Sequence, residues 1–142
     1  MRLSDVHKWE KAVIAVLNLD GWDLQWCGGG YEHYDAVGAT PKGNECVIEM
    51  KFRTTYYDTK MLEKYKYDQL MDMPADMVKL YFVNDPKANY LFWLNQISMP
   101  EPVEMYCPDT TLCTKSKKTK AVYLLEESQA TIININDNNA NT

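Results

Sequence analysis

Apolar and polar positions alternate most cleanly over about 45–53. There the even positions Cys46, Ile48, Met50 and Phe52 are apolar, and the odd positions Glu45, Glu49, Lys51 and Arg53 are charged, with Val47 the exception. A period of two marks a strand with one face on a core and the other on a wet surface or a site. Upstream the period is helical instead. Val6, Trp9, Val13, Val16 and Leu17 form one stripe, Ser4 stands as a cap, Asp5 lies in the first turn and Asp20-Gly21 is a stop signal. This predicts a helix over roughly 5–18. Trp22, Leu24 and Trp26 then alternate with Asp23, Gln25 and Cys27 as a strand, and Gly28-Gly29-Gly30 makes a turn. A second strand is predicted over about 31–39, closed by Thr40-Pro41-Lys42-Gly43-Asn44.

Beyond the alternating strand, Asp58 stands as the cap of a helix over roughly 59–73, ending before Pro74. Leu62, Tyr65, Gln69 and Met73 form one face of it, and Lys60 and Lys64 share another. A buried strand follows at about 78–83, then the turn Asn84-Asp85-Pro86-Lys87 and a pairing strand at about 88–94. Past Pro100 and Pro102, short strands are predicted at about 103–106, 121–125 and 131–135, around a lysine-rich stretch. No repeat or linker divides the chain. It reads as one α/β domain over 1–142, with a core of about 4–94, a β-rich extension of about 95–135 and a frayed tail at 136–142.

Composition changes this picture little. The chain has 142 residues and a net charge of −5, which counts against an avid nucleic-acid binder. The charge is uneven, however: residues 1–41 carry six acids and three bases, and residues 42–66 carry six bases and four acids. No apolar run reaches the roughly 20 residues of a membrane-spanning helix, and the amino terminus lacks a secretory signal. Cys27, Cys46, Cys107 and Cys113 form no CxxC pair, and with two histidines a structural zinc site is not expected. These features predict a cytoplasmic protein with reduced cysteines and no membrane association.

Candidate chemistry follows from the strands. With Met50 toward the core, Glu49 and Lys51 project together from the opposite face. A carboxylate oxygen there suits Mg²⁺, and the neighbouring cation suits a water or a phosphate, the pairing that phosphodiester hydrolysis needs. The same two residues also read as a plain surface ion pair. Asp35 sits in the preceding strand, and antiparallel pairing would bring it near Glu49; the other reading ends that strand early and leaves Asp35 in a loop. Glu10 shares the buried side of the first helix, either facing a metal or its water, or pairing with His7 or Lys11. Lys115, Lys117, Lys118 and Lys120, beside Tyr106 and Tyr123, read either as a phosphate grip or as a solvated loop. Lys60, Lys64 and Lys66, close in sequence to the site, are further candidates for DNA contacts. His33 is read as packed or hydrogen-bonded, not catalytic.

A helix with Glu10, strands carrying Asp35 and then Glu49-Met50-Lys51, a helix and an apolar strand: over roughly 4–94 this order resembles the PD-(D/E)XK nuclease superfamily, although Tyr34 stands where that family usually has proline. The resemblance implies a restriction-endonuclease-like α-β-β-β-α-β core with a mixed central sheet flanked by helices. It implies a Mg²⁺ or Mn²⁺ site with Asp35 and Glu49 as ligands, the Val47 or Met50 carbonyl as a further oxygen, Lys51 as the catalytic lysine and Glu10 as an assisting acid. Gln69 matches the polar residue some subfamilies place near the site. The implied activity is a metal-dependent DNA endonuclease, acting as a homodimer where two strands are cut. By family analogy alone it would belong to a bacterial, phage or mobile-element setting. The alternative on the same fold is a catalytically silent module that binds nucleic acid or protein.

Overall fold

The computed structural model describes residues 2–108 and 117–133, with the side chains of Pro108 and Lys117 excluded. The chain opens with α1 (Leu3–Leu19), followed by β1 (Asp23–Trp26), β2 (Ala36–Ala39), β3 (Glu45–Phe52) and β4 (Thr59–Glu63). Then come α2 (Lys64–Met71), β5 (Val78–Asn84), β6 (Asn89–Trp93), β7 (Val103–Pro108), β8 (Lys117–Glu126) and β9 (Thr131–Ile132). Cys27, Cys46 and Cys107 are free thiols, and Cys113 lies outside the described residues. Among the described residues, no helix is long and apolar enough to cross a membrane.

Six strands form a mixed sheet in the order β1-β2-β3-β5-β6-β9. Only β3 and β5 run parallel, with Glu49 opposite Tyr81 and Lys51 opposite Val83. The other neighbours are antiparallel. On one face lies α1, whose Val13, Ile14 and Leu17 pack against Leu24, Ile48, Met50, Leu80 and Phe82. On the other face, Val47, Tyr81, Val83 and Phe92 meet Leu62 of β4, Leu70 of α2 and Tyr123 and Leu125 of β8. The parallel pair is therefore covered on both sides, as parallel strands require.

The predicted order of elements departs from the structure at four places. Arg2, not Ser4, is the cap of α1, and the Asp5 carboxylate accepts from the Arg2 backbone N–H at 3.3 Å. The second strand begins at Ala36, so Asp35 lies in the bend just before it. The odd face of β3 is not wet: Val47 is fully buried and Glu49 is 6% exposed, because α2 and the small sheet cover that side.

The fourth departure is the largest. The stretch predicted as one helix over 59–73 is a strand followed by a short helix. Lys60 and Leu62 alternate inward on β4, which pairs with β8 in a second sheet ordered β4-β8-β7. Tyr65, placed by the helical reading on one face with Leu62, is exposed while Leu62 is buried, and Leu70 is the buried residue of α2. The β-rich extension is thus no appendage. Its β8 closes the second core, and its β9 extends the main sheet beside β6.

Candidate active site

The β2–β3 ladder sets the site. Ala36 pairs with Ile48, and just before that pair the Asp35 N–H donates to the Ile48 carbonyl at 2.9 Å while the Asp35 carbonyl accepts from the Cys27 N–H at 2.7 Å. Asp35 lies outside β2 but is fixed by these bonds beside Glu49. Its Oδ2 accepts from the Met50 N–H at 2.8 Å, which aims the carboxylate at the middle of β3. Glu10 reaches the same place from α1. It is buried, and its Oε1 accepts from the Trp26 indole N–H at 2.9 Å. Neither His7 nor Lys11 takes that partnership. His7 sits edge-on to Trp26 at 5.0 Å, and the Lys11 ammonium lies 4.2 Å over its ring. Gly28 completes the wall, because a Cβ there would stand 2.5 Å from Glu10 Oε1 and 2.8 Å from Trp26 Nε1.

Glu10, Asp35, Glu49, Lys51, Lys66 and His7 line one pocket of about 180 Å³. Burial raises the Glu10 carboxyl to about 7, against the Trp26 hydrogen bond, and the neighbouring Asp35 adds to the rise. Glu49 is also pushed up to about 7 by burial, with Asp35 adding and the Lys66 ammonium opposing. Asp35 is raised by burial despite its Met50 hydrogen bond. Burial, with Arg53 and Lys66 nearby, holds Lys51 down at about 8. Crowded acids raised in this way are the pattern of a functional pocket.

Lys66 is the residue the pattern of the chain obscured. Its Nζ donates to Glu49 Oε1 at 3.1 Å, from the first turns of α2. Burial opposes its charge, yet the attraction of Glu49 leaves its pKa raised. Sequence reasoning weighed it only as a DNA contact because the helix was started too early. Its four-residue spacing from buried Leu70 is the signal that puts it on the inner face.

Hard carboxylate oxygens from three chain segments suit a Mg²⁺ or Mn²⁺ ion better than a soft metal. Among the described residues, however, no group of three or more His, Cys, Asp or Glu side chains is arranged to hold a metal ion. The acids share a pocket and repel one another, a charge excess that a divalent cation would offset.

No family model and no curated protein matches the chain. Among solved structures it is similar to Hjc, a Holliday junction resolvase from the archaeal hyperthermophile Archaeoglobus fulgidus. The TM-score is 0.59 at 15% identity, over 89% of each chain. The fold is restriction-endonuclease-like.

Within this restriction-endonuclease-like frame, Glu10, Asp35, Glu49, Met50 and Lys51 come together in one pocket, while Lys64, Lys118 and Lys120 meet in a separate one beside Glu63, Tyr65 and Asp68. Lys60 is buried on β4, bonded to Asp85 at 2.7 Å and Glu127 at 3.0 Å, with its ammonium 4.4 Å from the rings of Tyr56 and Tyr90. It cannot meet DNA. Lys64 is at the surface, paired with Asp68 at 2.7 Å. Gln69 is half-buried on α2 and does not line the pocket. Lys120 is paired with Glu63 at 3.3 Å, and Lys118 is exposed on β8. Lys115 and the Lys117 side chain lie outside the described residues, and His33 is exposed in the loop before β2.

Proposed function

We propose that the protein is a divalent-metal-dependent DNA endonuclease. The observation that carries the reading is the meeting of Glu10, Asp35, Glu49, Lys51 and Lys66 in one pocket over the middle of a restriction-endonuclease-like sheet. A similar solved structure is a Holliday junction resolvase, which favours branched DNA as the substrate class. Asp35 and Glu49 would hold the metal, with the Met50 carbonyl and Glu10 as further oxygen donors, directly or through water. Bound there, Mg²⁺ or Mn²⁺ supplies Lewis acidity toward a phosphate oxygen and lowers the pKa of a water.

The chain's own residues do the rest. The Met50 N–H holds Asp35 in one orientation, and the Trp26 indole does the same for Glu10. Lys51, held down at about 8, has a substantial neutral fraction near pH 8. In that form its Nζ accepts a proton from the attacking water. Protonated, it stabilises charge on the phosphate. Lys66 favours the ionised form of Glu49 against the effect of burial and presents a second cation to the same phosphate. One such site cuts one strand, so a substrate cut on two strands calls for two copies of the chain.

The test is incubation with supercoiled, linear, single-stranded and branched DNA in Mg²⁺, Mn²⁺ or EDTA. Wild type is expected to cut at least one substrate only with metal. Glu49→Ala and Lys51→Ala should each lose at least about a hundredfold in rate. Wild type that cuts nothing, or variants that cut as fast as wild type, would end the nuclease reading.

A further inference from the structure

The face that carries Glu49 and Lys51 continues past the pocket. Arg53 follows β3 directly, and its N–H donates to the Asn84 carbonyl at 2.8 Å, so the strand course holds. By alternation Arg53 projects on the same side as Glu49 and Lys51. Glu49, Lys51, Lys66 and Arg53 also border a small crevice of about 10 Å³ on this side, together with Met61 and Glu63. Beyond it opens a second pocket of about 230 Å³, with Arg53 in its wall. Two strand residues span about 6.6 Å, roughly two base steps of a B-form strand.

This second pocket differs from the first in its chemistry. Its walls include Met61, Val83, Leu124 and Met105. At its floor Lys60 and Asp85 are bonded to each other, so the charges there are already satisfied. Tyr57 and Tyr106 stand in its lining while 56% and 70% exposed. Side by side along one face, the molecule therefore presents acids, then the cations Lys51 and Arg53, then an apolar pocket edged by aromatic rings.

We propose that this pocket receives an unpaired nucleobase of the DNA strand whose phosphate is held at Glu49 and Lys51. The assignment rests on the nuclease reading above. Arg53 is placed to hold the phosphate between the cut and the captured base. The tyrosine rings stack on the base's face, which every base possesses, so capture is indifferent to sequence. A fully paired duplex keeps its bases stacked inside and gains nothing here. The protein thereby selects DNA with a base free beside the cut, as at a flap, gap or single-stranded region.

The test is binding in EDTA, where no cutting occurs, of a short single-stranded oligonucleotide carrying 2-aminopurine. Wild type is expected to quench the probe. Tyr106→Ala and Tyr57→Ala should relieve the quenching and weaken single-strand binding by about tenfold each, with blunt-duplex affinity within about twofold of wild type. Tyr106→Phe, which keeps the ring, should bind as wild type does. Unchanged probe fluorescence and affinity in the alanine variants would overturn the proposal, as would equal losses for single-stranded and duplex DNA. Cutting is scored separately in Mg²⁺. A protein that captures the base but cuts nothing defeats the nuclease reading and leaves the pocket assignment standing. A protein that cuts with the alanine variants binding normally does the reverse.

Discussion

Glu10 and Glu49 are carboxyls that the fold holds near 7, well above their ordinary value of 4.5, chiefly because burial disfavours their charge. A folded-state pKa above the unfolded one stabilises the fold at low pH, and that stability is lost as pH rises through the folded value. In EDTA the protein should therefore be more stable at pH 5 than at pH 8, with the fall lying between about 4.5 and 7. Thermal melts across that range check the sign. Glu10→Gln keeps an oxygen for the Trp26 indole and removes a charge beside Asp35, so it should raise the metal-free Tm at pH 8 by a few degrees, roughly 3–6 °C. A Tm unchanged or lowered at pH 8 would mean that the acids do not strain the site. This crowding was only partly legible in the sequence. Strand alternation brought Glu49 and Lys51 to one face, but nothing local in the chain joins Glu10 to Trp26 or Lys66 to Glu49. Those contacts depend on how α1 and α2 dock.

At the scale of elements, β4 explains both the main misreading and a prediction. Residues 59–73 carry a helical stripe, yet long-range pairing with β8 draws Thr59–Glu63 into a sheet. Propensity and periodicity lose there to tertiary contacts. Lys60 anchors that seam through Asp85, and both side chains are nearly fully buried. Lys60→Ala would leave Asp85 without its cation and should cost about 3–5 kcal/mol, measured by urea unfolding. Loss of less than about 1 kcal/mol would show the pair to be dispensable. On the other side of the sheet, Gly38 lies where a Cβ would come within 1.9 Å of the Asp23 carbonyl oxygen. Gly38→Ala should destabilise by about 1–3 kcal/mol by forcing β1 away from β2. Since that hairpin leads into Asp35, DNA cutting should fall with it. Strand β5 was readable because its apolar run matches its burial, and β3 because its even positions do, whereas β8 was blurred by its lysines, which hid its partnership with β4.

Across the whole molecule, one face of the mixed sheet is sealed by α1 and the other by α2 and the small sheet, and the acids meet where α1, the β2–β3 ladder and α2 converge. The net charge of −5 argued against a nucleic-acid enzyme, but part of that charge is the acidic pocket itself. The order of elements made the restriction-endonuclease-like core legible. The integration of residues beyond 95 into both sheets was not, because it depends on pairings between strands far apart in the chain. The most direct test of the central claim uses a labelled four-way DNA junction and a matched linear duplex, each with Mg²⁺, wild type and Asp35→Asn. Wild type is expected to cut the junction in Mg²⁺ and to be silent in EDTA, and Asp35→Asn to slow cutting at least about a hundredfold while remaining folded. Cutting by Asp35→Asn at the wild-type rate, or cutting by wild type in EDTA, would contradict it.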